Sequence, residues 1–486
     1  WAGQRILLHF GAVDHTAHVW VNGTPVGTHR GGYTPFSLDI TNTLKPENDL
    51  LVLVRDPGDH EPIIRGKQSS RAKGIYYQGQ SGIHQSVWLE EVPFDFIEKL
   101  IITPDVSQHC WYVQVIANEG EHEVTISYLD GNKVCKGRSG QRLCCQVDVV
   151  QPWSPEDPFL YYFTVSMGND SVTSYVGMRS FSVQDGRLFL NTKQYYHHGI
   201  LDQGYWPHSL YTPPTDQAII DELVLVKKLG FNMVRKHAKI ESRRWYYHCD
   251  RLGLLVWQDM VSGGRAPFQP IMSAPLFIPT FSVKDHHYRL LGSQDTVYRK
   301  MFEDELKQMI EHLYNTVSIA MWVIFNEGWG QFDANSILSF VRGLDTSRTI
   351  DITSGWYDQG IGDFSSRHVY FKRYHYHVDK LDRTVILSEF GGYLYRVVDH
   401  DDEQIKLFGY KKFLDRSSFN DAFFRLYEEE IYPAKQKGLA ASVYTQLTDV
   451  QQELNGLVTF DRMVVKLDEA VALQVAALLL GSEKIE

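Results

Sequence analysis

Residues 318–333, SIAMWVIFNEGWGQFD, decide how the rest of this sequence is interpreted. Eight residues typical of a buried strand end at a carboxylate, Glu327, and the sequence Gly-Trp-Gly follows at once. The neighbouring residues offer no obvious salt-bridge partner for this acid. Its position therefore indicates a chemical role for Glu327, which the rest of the sequence has to identify.

The composition is that of a large soluble protein. With 486 residues the chain is too long for one ordinary core, so we expect two or three domains. The formal net charge of -11, with no long run of Lys or Arg, disfavours nucleic acid and acidic membrane surfaces as partners. An aromatic content of 13% suits sugars, whose C–H faces pack on rings. We therefore expect an oligosaccharide or glycoside as the ligand.

The cysteines and the N-terminal sequence give indications of the cellular compartment in which the protein is located. Four of the five cysteines lie between positions 110 and 145 and one is remote, which disfavours a disulfide framework and favours a reducing, cytoplasmic compartment. The opening WAGQRILLHF is typical of the middle of a strand-rich domain, so we expect the true N-terminus to lie upstream and keep secreted or periplasmic locations open. The apolar run AVALQVAALLL is too short to span a bilayer and predicts a core helix.

Two strand-rich regions occupy the first part of the chain. Over residues 1–93, short alternating runs such as RILLHF and NDLLVLVRD are separated by turn signals, which predicts an antiparallel sandwich. Over residues 94–183, runs such as WYVQVIA and LYYFTVSMG predict a second sandwich of immunoglobulin-like size.

From residue 184 to 486 the pattern changes to helices alternating with short apolar strands. Thr215 is a candidate N-cap for a helix that ends at Gly230, and further helix and strand pairs follow. Eight strands are predicted, in YYHHGIL, FNMVRKH, LLVWQD, SIAMWVIFNE, TIDITSGW, RHVYF, VILSEFGG and LAASVYTQL. This number in about 300 residues favours a (β/α)8 TIM barrel over an open doubly wound sheet, which would require a GxGxxG or P-loop that is missing.

Polar and aromatic side chains follow the predicted strands at their C-terminal ends. In a barrel these ends converge on the face where active sites are built, so the side chains are expected to share one site. The candidate residues are Asp202, Arg235, His237, Asp259, Asn326, Glu327, Trp356, His368, Tyr370, Glu389 and Gln446.

Glu327 and Glu389 form the most informative pair among these candidates. They lie 62 positions apart, two or three β/α units, and glycine follows each within two residues, so they would face each other across the barrel mouth. A retaining glycosidase needs one protonated acid and one ionised carboxylate about 5 to 5.5 Å apart. Trp322 and Trp329 would desolvate the acid and raise its pKa, and Arg235 would hold the nucleophile ionised.

Several of these residues also have structural interpretations. Either glutamate alone could be a solvated loop residue, Arg235 could serve an ordinary salt bridge, and Asp202 and Asp259 could cap the next helix. His375 and His377 in RYHYH could approach a metal, although a hydrogen-bonded pair is the simpler interpretation. We expect no metal and no organic cofactor.

The sequence resembles glycoside hydrolase family two, the family of β-galactosidases, β-glucuronidases and β-mannosidases, over essentially its whole length. VWVNGTPVGTHRGGYTPFSLDIT resembles the family's N-terminal sugar-binding jelly roll, and PWSPEDPFLY resembles the end of its immunoglobulin-like domain. The resemblance implies a jelly-roll sandwich, an immunoglobulin-like sandwich and a catalytic TIM barrel. It also implies retaining hydrolysis through a covalent glycosyl-enzyme.

The resemblance carries roles to individual residues. Glu327 in FNEGWG matches the general acid/base after the fourth strand, and Asn326 matches its neighbour that binds the sugar 2-hydroxyl. Glu389 in SEFGG matches the nucleophile after the seventh strand, and Arg235 in GFNMVRKH matches the arginine after the second. His368-Val369-Tyr370 matches the imidazole and aromatic pair of the sixth strand.

Departures from the family pattern limit the choice of substrate. The N-x-K element by which β-glucuronidases recognise a uronate is absent near the site, since NTK at 191–193 precedes the barrel, so a glucuronide is disfavoured. VRKHAK and the first-strand segment differ from familiar β-galactosidases, and VYTQLTDV lacks the eighth-strand Trp. We expect an exo-acting β-galactosidase of an atypical branch, with β-galactofuranoside and α-L-arabinofuranoside as alternative substrates.

Three further questions stay open at the level of sequence. A carbohydrate-binding protein without turnover is the alternative from another class, and a paired acid and nucleophile argues against it. Transglycosylation would use the same residues as hydrolysis. The sandwich domains are expected to act as scaffolds for the barrel and for a homo-oligomer rather than to capture sugar.

Overall fold

The computed structural model describes residues 4–266, 268–278, 281–400 and 408–481. The chain divides into two units, and each crosses the boundaries suggested by sequence. The first contains residues up to 56, 81–180 and 308–317, and the second contains residues 57–80, 181–307 and those from 318 onward. Residues 57–80, which belong to the first strand-rich region in sequence, therefore form part of the second unit.

Short strands make up residues 5–92, as their alternating pattern predicts. They are β1 (Arg5–Phe10), β2 (Val13–Asp14), β3 (Thr16–Val21), β4 (Thr24–Arg30), β5 (Phe36–Asp39), β6 (Leu50–Arg55), β7 (Gln68–Ser69), β8 (Tyr77–Gln78), β9 (Gly82–Ile83) and β10 (Val87–Val92). Two antiparallel sheets, β10-β1-β5 and β4-β3-β6, have one core that includes Ile6, Phe10 and Val19. Alternation places every second side chain of these strands in that core.

The next strands form a second antiparallel pair of sheets. They are β11 (Ile97–Asp105), β12 (Cys110–Ala117), β13 (Glu123–Tyr128), β14 (Lys133–Arg138), β15 (Arg142–Gln146), β16 (Tyr161–Met167) and β17 (Asp170–Val176). The sheet orders are β11-β12-β15 and β14-β13-β16-β17. Trp111 is fully buried at their centre and packs against the rings of Tyr128 and Tyr161. This is the layered arrangement expected of an immunoglobulin-like sandwich.

Eight parallel strands form the barrel, and each overlaps a predicted run. A small sheet of β18 (Phe181–Gln184), β19 (Arg187–Leu190) and β20 (Lys193–Gln194) precedes the barrel. The barrel strands are β21 (His197–Asp202), β22 (Met233–Lys236), β23 (Leu255–Asp259), β24 (Ile319–Asn326), β25 (Thr349–Ser354), β26 (Phe364–Val369), β27 (Thr384–Gly391) and β30 (Ala441–Thr445). Between β27 and β30 the chain forms the short pair β28 (Leu394–Tyr395) and β29 (Lys412–Phe413). Hydrogen bonding gives the order β25-β24-β23-β22-β21-β30-β27-β26. The hydroxyls of Ser354 and Ser366, 3.4 Å apart, link the two end strands and bring the barrel close to closure.

The helices follow from capping and amphipathic spacing. They are α1 (Asp216–Lys228), α2 (Arg243–Leu252), α3 (Gln269–Phe277), α4 (Tyr288–Leu291), α5 (Thr296–Leu313), α6 (Ala334–Leu344), α7 (Arg416–Leu426), α8 (Tyr432–Lys437) and α9 (Glu469–Leu480). Thr215 caps α1 as predicted, because its hydroxyl accepts a hydrogen bond from the Ala218 N–H at 3.0 Å. The predicted core helix is α9, which buries Val475 and Leu479. Within the described residues, none of the helices is both long and apolar enough to cross a membrane.

We expect Asn232→Ala to destabilise the barrel, because this buried side chain ties the first two barrel strands together. Its Oδ1 accepts the His198 N–H at 2.9 Å, and its Nδ2 donates to the Tyr196 carbonyl at 3.0 Å. Losing both bonds leaves buried groups unpaired and should lower the free energy of unfolding by about 2 kcal/mol. Urea unfolding measures this, with Asn335→Ala on an exposed face of α6 as the control. Equal effects of the two substitutions would contradict the assignment.

Candidate active site

A cleft lies at the C-terminal ends of the barrel strands, where the sequence places its polar residues. Both predicted carboxylates, Glu327 and Glu389, face into it. The residues that line it are Lys67, Ile75, Tyr76, Leu201, Gln203, His237, Ala238, Ser262, Met272, Asn326, Glu327, Trp329, Tyr370, Glu389, Tyr410, Thr445 and Glu453.

Glu327 stands at a sharp turn immediately after β24. Its φ of 52° and the φ of 73° at Gly328 place two successive residues in the left-handed region, which costs energy for a residue with a side chain. A Cβ at Gly328 would lie 2.1 Å from the ring of Tyr357, so only glycine fits there. The Glu327 N–H donates to the Ser354 carbonyl at 3.0 Å, which fixes the turn to the neighbouring strand.

The buried imidazole of His368 lies between the two carboxylates. Its Nδ1 is 2.8 Å from Glu327 Oε1, and its Nε2 is 3.5 Å from Glu389 Oε1. One oxygen of Glu327, one of Glu389 and a ring nitrogen of His368 all lie within 4.8 Å of one another. These carboxyl oxygens lie closer together than the separation of about 6.5–9.5 Å between the carboxyl groups of inverting glycosidases.

Arg235 lies beneath the cleft and hydrogen-bonds to several of the residues that form the site. Its guanidinium is fully buried and donates to both oxygens of Asp259, each at 3.0 Å. It also donates to Glu389 Oε1 at 3.2 Å and to Asn326 Oδ1 at 2.9 Å. A planar, permanently charged fork suits several acceptors held in fixed directions.

The surroundings of Glu389 hold it ionised. Burial alone would raise the pKa of this carboxyl, but the charges of His368 and Arg235 outweigh burial and lower the pKa to about 2. The Tyr370 hydroxyl also donates to Glu389 Oε2 at 2.5 Å. The ring of Tyr370 is stacked on that of Tyr410, with centroids 4.0 Å apart. Glu389 is therefore an anion with two fixed donors.

His237 presents a hydrogen-bond acceptor to the cleft. Its Nδ1 is 2.5 Å from Asp259 Oδ2, so Nδ1 carries the proton that this carboxylate accepts and Nε2 is free of one. Burial lowers the pKa of His237, and the charge of Lys67 lowers it further, so the ring is neutral at neutral pH. A neutral Nε2 can accept a hydrogen bond from a sugar hydroxyl.

The structure brings most of the predicted site residues together. Apart from the residues on the cleft wall, Arg235, Asp259 and His368 lie directly behind it. Gln446 lies further back, where its side chain contacts Gln203 and Asn455 at 2.8 and 2.9 Å.

Three expectations about individual side chains differ from the structure. Trp322 does not desolvate Glu327, because its indole N–H points away and donates to Asp345 Oδ2 at 2.9 Å. Asp202 is buried in an ion pair with Lys236, 2.5 Å away, and does not reach the cleft wall. Trp356 packs beside His368, with ring centroids 6.2 Å apart, and is likewise absent from the described wall.

The sequence interpretation missed one side of the cleft. Lys67 and Tyr76 come from residues 57–80, a region assigned by its pattern to another domain. Glu453, which also lines the cleft, accepts hydrogen bonds from the Tyr77 hydroxyl and from Asn455 Nδ2. Its position after the eighth strand is the signal in the sequence that could have identified it.

Among the described residues, Glu327, His368 and Glu389 form a cluster whose side-chain atoms are close enough together to bind a metal ion. Each carboxylate already has protein donors, from His368 to Glu327 and from Arg235 and Tyr370 to Glu389. The donor set therefore favours acid and base chemistry over metal binding. The expectation that the protein needs no metal or organic cofactor stays a prediction.

Three models of one family match successive parts of the chain up to residue 391. The model described as "Glycosyl hydrolases family 2, TIM barrel domain" matches residues 181–391. The sugar binding domain model of the same family matches residues 1–93, and a third model, "Glycosyl hydrolases family 2", matches residues 96–179.

Curated relatives and solved structures agree with these matches. A beta-glucuronidase of Paenibacillus borealis is 24% identical over 382 residues, which cover 72% of this chain and 60% of that protein. A beta-galactosidase of Vibrio vulnificus is 26% identical over 390 residues, 72% of this chain and 34% of the relative. The chain thus spans about 60% or less of the length of these relatives.

The fold matches solved structures over almost its full length. A Faecalibacterium prausnitzii beta-glucuronidase has a TM-score of 0.73 at 20% identity, covering 98% of this chain and 86% of that chain. A beta-galacturonidase from Eisenbergiella tayi bound to galacturonate has a TM-score of 0.72 at 20% identity, covering 98% and 88%. At these identities the likeness concerns the fold alone.

We expect the stability that Glu389 contributes to depend on pH. Because its pKa is lower in the folded protein than the ordinary value of 4.5, the unfolded chain binds the proton first as the pH falls. The contribution of Glu389 is complete above about pH 5 and is lost as the pH falls through the folded pKa. The difference in unfolding free energy between wild type and Glu389→Gln should therefore shrink between pH 6 and pH 3.5, as followed by urea unfolding. A difference that stays constant or grows would contradict this assignment.

Proposed function

Because the chain belongs to glycosyl hydrolase family 2, we propose that it is a retaining, exo-acting glycosidase that removes a terminal sugar through a covalent glycosyl-enzyme. One observation supports this most directly. Two carboxylates lie within 4.8 Å of each other on either side of His368, and one of them, Glu389, is held ionised by Arg235. A protonated acid beside a permanent anion is what retaining hydrolysis requires.

The first half of the reaction uses Glu389 as the nucleophile. Its ionised carboxylate attacks the anomeric carbon while Glu327 gives its proton to the leaving oxygen, so the glycosidic C–O bond breaks as the bond to Glu389 forms. Arg235 and Tyr370 hold the carboxylate in place through Oε1 and Oε2. The leaving group departs as a neutral alcohol.

In the second half of the reaction Glu327 acts as the base. The carboxylate left there takes a proton from water, the water oxygen attacks the anomeric carbon, and the bond to Glu389 breaks. Two inversions give net retention of configuration. The side chain of Glu327 is 16% exposed and that of Glu389 is 8% exposed, so the acid/base is the more accessible to incoming water.

The remaining site residues are proposed to bind the sugar. Asn326 Oδ1 is held by Arg235, which leaves its amide N–H groups to donate to a sugar hydroxyl. His237 Nε2 can accept from a second hydroxyl. Asp259 positions both Arg235 and His237 without reaching the cleft wall itself.

The domain division is part of the proposal. We infer that residues 1–93 and 94–183 are scaffolding sandwich domains and that residues 184–486 are the catalytic domain. Family matches to residues 1–93, 96–179 and 181–391 support this division. Residues 57–80 are the exception, because they supply cleft residues from within the first range. A terminal β-galactoside is the first candidate substrate, and β-galactofuranosides and α-L-arabinofuranosides are the alternatives.

We expect alanine variants of Glu389 and Glu327 to differ in how their loss of activity depends on the leaving group. Glu389→Ala should lower kcat/KM on aryl glycosides by about 10^4-fold or more, because the covalent step is lost. Glu327→Ala should lose about 10^2- to 10^4-fold on substrates with poor leaving groups and much less on dinitrophenyl glycosides, which need no proton. A panel of aryl pyranosides and furanosides measures both variants and identifies the sugar.

The control is Glu428→Ala, which removes an exposed carboxylate outside the cleft and should leave kcat/KM unchanged. Azide should restore turnover to both alanine variants, giving the glycosyl azide of inverted configuration from Glu389→Ala and of retained configuration from Glu327→Ala. Full activity of Glu389→Ala would show that the nucleophile is assigned to the wrong residue.

We expect His368→Gln to affect Glu327 more than folding. The glutamine amide can still reach the region of the imidazole Nε2, but the contact with Glu327 at 2.8 Å is lost. The rate should fall about 10- to 100-fold on poor leaving groups, with a smaller loss on dinitrophenyl glycosides. Equal losses on both classes of substrate, or loss of the folded state by circular dichroism, would argue for a purely structural role.

A further inference from the structure

Residues 57–80 place the charged side chain of Lys67 in the wall of the cleft. This segment is anchored to the loop that follows β23, since Ile64 pairs with Gly263 and the N–H groups of Arg65 and Gly66 both donate to the Ser262 carbonyl, at 3.1 and 2.9 Å. The Lys67 carbonyl accepts the Tyr77 N–H at 2.9 Å. The backbone of Lys67 is therefore fixed before any ligand arrives, and its side chain lines the cleft.

The ammonium group of Lys67 has no acidic partner in the part of the chain that the structure describes. Its contact there is with the ring of Tyr77, whose centroid is 5.6 Å from Nζ. The residue is half-buried, so water screens it less than a surface lysine. A half-buried cation in a binding site gains most from an anion supplied by the ligand.

The acids of the cleft do not neutralise Lys67, because each has donors of its own. Glu389 accepts from Arg235 and Tyr370, and Glu453 accepts from Tyr77 and Asn455. Glu327 is paired with His368. Lys67 is the one Lys or Arg among the described residues of the cleft wall, so the site carries a single cation that its own side chains leave uncommitted.

The position of Lys67 is on the side of the sugar rather than of the leaving group. Its ammonium lies against the ring of Tyr77, whose hydroxyl donates to Glu453 in the segment after β30. Strand β30 is hydrogen-bonded to β27, which carries Glu389. The wall beside the acid is formed by different residues. There the rings of Tyr76 and Trp329 meet edge to face, with centroids 5.5 Å apart. A group that reaches Lys67 therefore belongs to the sugar bound at Glu389.

We propose that Lys67 is a specificity-determining residue that binds a carboxylate on the terminal sugar, so that the preferred substrate is a uronide. This inference rests on the proposed glycosidase function and adds the charge of the sugar. It also revises the expectation from sequence, in which the absence of N-x-K near the site disfavoured a glucuronide. The cation is supplied instead by residues 57–80, which sequence spacing assigns to another domain.

Matched aryl substrates test the proposal. p-Nitrophenyl β-D-glucuronide and β-D-galacturonide are compared with the β-D-glucoside and β-D-galactoside, which differ only in carrying CH2OH in place of the carboxylate. The methyl ester of each uronide keeps the shape and removes the charge. The wild type should prefer the uronides to both the neutral sugars and the esters, as measured by kcat/KM.

Variants locate the preference at one side chain. Lys67→Met keeps the length without the charge, and it should lower the ratio of kcat/KM for uronide over neutral sugar by about 30- to 100-fold, with Lys67→Arg retaining part of the ratio. Lys73→Met, an exposed lysine of the same segment outside the cleft wall, should leave the ratio unchanged. Calorimetry with D-glucuronate and D-galacturonate measures the same loss of affinity without turnover.

The possible results separate the two proposals. Hydrolysis of neutral glycosides with no preference for uronides would overturn the role of Lys67 and leave the glycosidase intact. A uronide preference that survives in Lys67→Met would also overturn it, because another residue would then bind the carboxylate. Failure to hydrolyse any substrate, with no uronate binding by calorimetry, would overturn the glycosidase function and this inference together.

Discussion

The buried guanidinium of Arg235 is the interaction on which the site depends. A cation with no access to water has to be satisfied entirely by protein acceptors, and Arg235 finds them on three different strands. Asp259 takes two of its donors, and Asn326, Glu389 and the Ser388 carbonyl take the others. Each acceptor is fixed in return, so the same contacts that stabilise the cation align the nucleophile and its neighbours. A lysine could not replace it, because one ammonium cannot direct donors to acceptors in a fixed plane.

The sequence predicts the barrel and the chemical pair well because both leave local signals. Each barrel strand is a short apolar run between turn residues, and each key carboxylate follows such a run directly. The errors concern where a side chain points. Trp322 is five positions before Glu327, on the strand that leads to it, yet its indole faces Asp345 at the end of α6. Asp202 ends a strand as Asp259 does, but its carboxylate forms an ion pair with the ammonium of Lys236 on the adjacent strand. These partners are distant in sequence, and no spacing rule specifies them.

The contribution of residues 57–80 was beyond sequence reasoning for a different reason. The segment lies between two strands of the first sandwich in sequence, yet it packs with the barrel unit and supplies Lys67 and Tyr76 to the cleft. Domain boundaries derived from alternation treat such a segment as a loop of its own domain. The cleft is therefore built from two separate parts of the sequence. The barrel provides the carboxylates and Arg235, whereas a segment outside the barrel sequence provides the cation Lys67.

Trapping of the glycosyl-enzyme identifies the nucleophile by the residue that carries the sugar. Dinitrophenyl 2-deoxy-2-fluoro glycosides, in the neutral and uronide forms, form the covalent intermediate quickly and release it slowly, so mass spectrometry of the digested protein locates the attached sugar. The account predicts one sugar per chain, attached to the peptide that contains Glu389, and none in Glu389→Gln. A label on Glu327 or elsewhere, or time-dependent turnover with inversion and no label, would contradict a mechanism in which the ionised Glu389 is the nucleophile.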